Sequence, residues 1–151
     1  MFGLFKSKPN PDDIFAEGPW QIAQGDSGGN PIIVRANTHL KAFAGHTKLT
    51  VKIGFAVPLN SPNEGGLPEP GENRILDGIE DTIAHELTRN GEAVQALSIT
   101  TGTFKEFVFY AKPGLDIKSL HEKLMSEITT HEVQCYAEME PDWATFKEFA
   151  N

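Results

Sequence analysis

Leu49, Val51, Ile53, Phe55 and Val57 alternate with Thr50, Lys52, Gly54 and Ala56. Successive side chains leave a strand on opposite sides, so a period of two marks a strand with one buried face. Past a loop rich in Pro and Gly over residues 58–71, Ile75, Leu76, Ile79, Ile83 and Leu87 recur at steps of three and four. That spacing predicts an amphipathic helix over 72–88, stopped by Asn90-Gly91. Two strands follow over 93–100 and 104–110, joined through Thr101-Gly102-Thr103. Pro113-Gly114 breaks the chain before a second helix over 117–128, with Ile117, Leu120, Leu124 and Ile128 on its core face. A last strand alternates Val133, Cys135, Ala137 and Met139 with Glu132, Gln134, Tyr136 and Glu138. Pro141 and Asp142 then open a short terminal helix carrying Trp143, Phe146 and Phe149 on one face.

The order from Leu49 is β-α-β-β-α-β plus one helix, which predicts an α+β protein with a ferredoxin-like antiparallel sheet. Right-handed crossovers place both longer helices on one side of four strands. Upstream, residues 20–23 and 31–36 read as an N-terminal β-hairpin around the turn-rich Gln24-Gly-Asp-Ser-Gly-Gly-Asn30. Residues 1–19, with Pro9, Pro11, Gly18 and Pro19, read as an irregular lead-in to a single domain over 20–151. The strand over 104–110 is apolar on both faces, with Phe107 and Phe109 on one and Val108 and Tyr110 on the other. Its second face therefore needs cover from the hairpin, the terminal helix or another chain.

Charge narrows the function classes. The 13 Lys and Arg against 21 Asp and Glu give 13 − 21 = −8, which disfavours direct nucleic-acid binding and docking on an anionic membrane. One cysteine excludes an internal disulfide and points to a reducing compartment. No stretch approaches the ~18 apolar residues of a membrane span. The apolar start, with Phe2, Leu4 and Phe5, is too short for a signal peptide and is read as packing on the body or fraying, with weak surface anchoring as the alternative. The expectation is a soluble, cytoplasmic protein.

Motifs for chemistry are missing. The five histidines, His39, His46, His85, His121 and His131, contain no His-Glu-x-x-His spacing, and there is no thiolate cluster, so no metal or other cofactor is assigned. Cys135 falls on the buried side of its strand, where a thiol acts as a small apolar group. No Gly-x-Ser-x-Gly elbow occurs, and no Gly-Lys-Ser/Thr follows Gly65-Gly66. The aromatic Phe104-Lys-Glu-Phe-Val-Phe-Tyr110 lacks the basic, Gly-rich pattern of an RNA-binding sheet. No catalytic residue is assigned. The polar groups singled out are Glu80 and Asp81 on the first helix, Tyr110, His39 and His46, with Trp143 as an anchor. Glu80 is expected to bond a nearby backbone or Tyr110, and Asp142 to cap the terminal helix.

The strand over 49–57, its Gly-rich loop, Ile79-Glu80-Asp81, Ile99-Thr100-Thr101-Gly102 leading into Glu106-Phe-Val-Phe-Tyr110, and Asp142-Trp143 occur in that order. Together they resemble the bacterial family called domain of unknown function 695 (DUF695), from Trp20 to Phe149. That family is similar in turn to the regulator of ribonuclease E activity B, an acidic inhibitor that binds an enzyme. The resemblance implies a ferredoxin-like domain with no assigned catalysis, although charges are scattered here where the inhibitor has an acidic stretch. The expectation is a non-catalytic regulatory domain that binds a basic protein partner through its acidic surface or open sheet face. The alternatives are a small-molecule sensor or enzyme with a pocket between hairpin and sheet, using His39, His46, Glu80 and Tyr110, and a self-associating homodimer.

Overall fold

The computed structural model describes residues 10–151. The apolar start with Phe2, Leu4 and Phe5 lies outside them. Six strands, β1 (Trp20–Ser27), β2 (Asn30–Asn37), β3 (Val51–Pro58), β4 (Ala93–Thr100), β5 (Phe104–Ala111) and β6 (Gln134–Met139), form one sheet in the order β1-β2-β4-β5-β3-β6. Every neighbouring pair is antiparallel. The helices are α1 (Pro70–Thr88), α2 (Ile117–Glu127) and α3 (Ala144–Phe149), with 3-10 turns at Pro11–Phe15 and Thr38–Phe43. The fold is α+β, and the expected elements are all present within a few residues.

The hairpin differs from expectation in length and in place. Gly28 and Gly29 both take positive φ, 59° and 90°, the left-handed pair of a two-residue hairpin turn. This lets both strands run eight residues, up to the turn itself. The hairpin also does not lie over the sheet. Residues Ile33 to Ala36 of β2 pair with Leu97 to Thr100 of β4, so it widens the sheet to six strands. Among the described residues, the concavities it helps to line are clefts along the shared sheet, one of about 400 Å³ between Trp20 and Asn37, Val94 and Gln95 of β4, and Ala84 and Thr88 of α1.

Each face has its own core. Ile53, Phe55, Val57, Phe107 and Phe109 pack under Leu76, Ile79, Ile83 and Leu87 of α1 and Leu124 of α2. On the other face Val34, Ala36, Val94, Leu97, Ile99, Val108 and Tyr110 pack against Ile14, Leu40, Phe43, Trp143 and Phe146. The second face of β5 is thus closed from within the chain, by α3 and the two 3-10 turns rather than by the hairpin. Val108 and Tyr110 are fully buried. A bulge between Gln95 and Leu97 shifts the side-chain phase of β4 by one residue. It lets Gln95 and, further on, Ser98 and Thr100 face α1 while Ala96 and Leu97 fill the second core.

The long 58–69 connection is tied down. The Asn63 amide donates to the Gly102 carbonyl at 2.7 Å, and the Leu59 amide to the Thr103 carbonyl at 2.9 Å. Gly102 is required at this crossing, because a Cβ there would overlap the backbone of Asn63 and Gly66.

Candidate functional site

α1 presents Asp77, Glu80 and Asp81 toward β2. The sheet beneath contributes Ile33 and Arg35 from β2, Thr100 from β4 and Lys105 from β5, and the tied loop closes one end with Leu67 and Pro68. Together they line a cleft of about 540 Å³. The Arg35 guanidinium pairs with the Glu80 carboxylate, and Gln95 Nε2 donates to Glu80 Oε2 at 2.7 Å. Glu80 is 7% exposed, so these donors replace the water it has lost. Lys105 is 4% exposed, and its ammonium reaches Asp77 on the rim at 3.0 Å. Both ion pairs bridge helix to sheet. The Arg35 guanidinium also sits 5.3 Å from the centre of the Trp20 ring.

Half-buried pairs of this kind add little net stability, but they fix the orientation of each charge. The lining carries three carboxylates and two cations, 2 − 3 = −1. Asp81 is exposed and has no ion-pair or hydrogen-bond partner among the described residues. The cleft is therefore left with one net negative charge and a free carboxylate at its rim. It holds no thiol and no histidine.

The residues singled out from sequence do not converge. Glu80 and Asp81 line the cleft. Glu80 bonds Arg35 and Gln95 rather than a backbone group or Tyr110, which lies on the other face of the sheet. Tyr110 and Trp143 instead stack with centroids 4.1 Å apart and planes 6° from parallel. The Tyr110 hydroxyl donates to Glu140 Oε2 at 2.5 Å and accepts from the Phe146 amide at 3.1 Å. Burial, with Glu140 beside it, pushes the Tyr110 phenol well above its ordinary pKa. The indole Nε1 of Trp143 donates to the Leu49 carbonyl at 2.8 Å and so anchors α3 on the core. Trp143 itself sits at the helix start with φ 57°, and capping is shared. Asp142 Oδ1 accepts from the Ala144 amide at 3.3 Å, and Glu140 Oε1 accepts from the Thr145 amide at 3.2 Å. The two histidines face backbone. His39 Nε2 lies 2.7 Å from the Asp13 carbonyl, and His46 Nδ1 accepts from the Lys48 amide at 3.1 Å. No group of three His, Cys, Asp or Glu among the described residues is placed to hold a metal.

Arg35, Gln95 and Lys105 were not singled out from sequence. Lys105 had a signal, since it stands two and four residues before Phe107 and Phe109 on the alternation of β5. A second polar cluster fastens the loop. Glu72 accepts from the amides of Asn60 and Ser61 at 2.6 and 3.0 Å and from His131 Nε2 at 2.6 Å. Desolvation raises the Glu72 pKa, but the His131, Asn60 and Ser61 donors outweigh it and hold the carboxyl below its usual range. The Cys135 thiol is pushed up to about 11 by burial.

A profile of a family described as a family of unknown function, DUF695, matches residues 19–150. The chain belongs to the DUF695 family. The match spans both strands of the hairpin, the cleft and all of α3, so the DUF695 unit includes every element that lines the site. No curated protein and no solved structure matches the chain. No helix among the described residues is long and apolar enough to cross a membrane.

Proposed function

We propose that this DUF695 domain is a non-catalytic binding module whose α1–β2 cleft receives a basic segment of a protein partner. The observation that carries this reading is the charge arrangement. Arg35 and Lys105 are already engaged by Glu80 and Asp77, while Asp81 stands free on the rim of a chain with net charge −8. A lysine or arginine entering the cleft meets Asp81 and the exposed oxygens of Asp77, and the chain-wide negative field speeds its approach. With the second sheet face closed by α3, binding through an open face gives way to binding through this acidic rim. The β3–β6 part, with strand order β4-β5-β3-β6, supports a ferredoxin-like core extended by the hairpin, in keeping with a proposed distant relation to the regulator of ribonuclease E activity B. Inhibition of an enzyme by direct contact belongs to the same proposal, in a cytoplasmic setting.

The test is affinity capture of the tagged protein from its own lysate at low salt, with and without nuclease, beside an Asp77→Asn/Asp81→Asn variant. A stoichiometric protein partner that survives nuclease, is released as salt approaches about 1 M and is lost by the variant supports the reading. A partner retained by the variant places binding elsewhere and overturns it.

A further inference from the structure

The two edges of the sheet are not alike. All eight residues of β1 are exposed, including Ile22 at 68% and Trp20 at 37%, and β1 pairs only with β2 among the described residues. Natural edge strands are usually guarded by lysines, prolines, bulges or covering loops. Among the described residues β1 has none of these between Trp20 and Ser27, and its one charged residue is Asp26. At the opposite edge, β6 carries the exposed Glu138, paired with Lys52. Pairing β6 with its own copy would bring two Glu138 carboxylates onto one edge, whereas pairing β1 with its own copy meets almost no charge.

The hairpin register shows which backbone groups of β1 are free. Pro31, which has no amide hydrogen, stands opposite Asp26, and Ser27 and Asn30 close the two-residue turn. Antiparallel pairs alternate, so Ser27, Gly25, Ala23 and Gln21 spend their backbone groups on β2. Asp26, Gln24, Ile22 and Trp20 turn theirs to the open edge. Two antiparallel copies satisfy all four when Ala23 lies on the two-fold axis. Ile22 then pairs with Gln24 of the second copy, and Trp20 with Asp26 of the second copy. This arrangement forms up to about eight backbone hydrogen bonds. The small Ala23 side chain occupies the close central contact, and the two Ile22 side chains meet diagonally across the axis.

We infer that the partner of this edge is a second copy of the same chain, joined through β1 into one continuous twelve-stranded sheet. The inference is independent of the cleft, which faces α1. An edge-to-edge contact buries less than a standard interface, so the dimer is expected to dissociate in the micromolar range.

Sedimentation of the full chain over roughly 1–500 μM is the test. The mass should rise toward twice that of the monomer, and exchange of the Ile22 and Gln24 amides should slow with concentration while the Ala23 amide stays protected throughout. Gln24→Pro removes an outward amide without touching a hairpin hydrogen bond, and Ile22→Lys adds an edge charge. Both should remain monomeric at the top concentration with wild-type melting curves. A wild-type chain that stays monomeric, or a Gln24→Pro variant that still dimerises, overturns the inference.

Discussion

Replacing Tyr110 with Phe removes one oxygen and keeps the ring that stacks on Trp143. That oxygen donates to Glu140 at 2.5 Å and accepts from the Phe146 amide at 3.1 Å, in a side chain with no exposed surface. A hydrogen bond to a charged group contributes about 1.5–3 kcal/mol, and an amide left unpaired in the interior adds about 1 kcal/mol. Glu140 keeps Thr145 Oγ1 at 2.7 Å and Lys52 at 3.7 Å, so it is not orphaned and the full cost of a buried lone charge does not arise. The expected loss is about 2.5–4 kcal/mol, or a fall in Tm of roughly 5–16 °C for a domain of this length. Urea unfolding followed by Trp fluorescence measures it. Tyr136→Phe is the control, because its hydroxyl also donates to a carboxylate, Glu106 at 2.9 Å, but from a side chain that is 38% exposed. Water can replace that bond, so the control should cost under about 1 kcal/mol. Equal losses for the two variants would refute the argument that desolvation gives the Tyr110 bond its weight. A loss below about 0.5 kcal/mol for Tyr110→Phe would show that apolar packing alone holds α3.

Two further expectations concern titration. Glu72 is held below its usual pKa in the folded chain, so its contribution to stability is present above the unfolded carboxylate value and is lost as pH falls through the folded one. Amide exchange at Asn60 and Ser61 should therefore accelerate in acid before the sheet opens, and Glu72→Gln should flatten that dependence. An unchanged acid profile in the variant would remove Glu72 from the account. The Cys135 thiol, raised to about 11, is protonated at neutral pH, so a thiol-specific disulfide reagent should label the native chain far more slowly than the urea-unfolded chain. Equal rates would place the thiol at the surface.

What was legible in the sequence follows from what side-chain period reports. Leu49 to Val57 and the Ile79/Ile83 stripe report a buried face directly, so those elements were found nearly to the residue. Pairing of β2 with β4 is a backbone event over Ile33 to Ala36, and periodicity shows that β2 has a buried face without saying which edge it joins. The same limit hid the cleft. Glu80 was visible as a carboxylate bordering an apolar stripe, but its cation lies forty-five residues away on a strand whose place in the sheet was unknown. Tyr110 stands out because β5 is apolar on both faces, and that pattern marks a real demand for cover. That demand is met by Trp143 and Phe146, not by a ligand or partner.

The position of the cleft has a geometric cause. Strands lie about 4.8 Å apart, so six of them span roughly 24 Å between the outer strand axes. Two helices about 10 Å wide cover roughly 20 Å of a sheet. With α1 and α2 resting over β3, β4 and β5, the helix layer falls short on the side where the hairpin was added. The apolar stripe of α1 ends there, and its flank faces β2 across open space. A carboxylate on that flank opposite an arginine on β2 spans the step without filling it, as Glu80 and Arg35 do, and the remaining space is the cleft. Further out, most of β1 lies beyond the helices, which leaves Ile22 exposed. The cleft and the bare edge are two consequences of one mismatch between the widths of the sheet and the helix layer. Deleting the hairpin would therefore remove the cleft's floor and the pairing edge together.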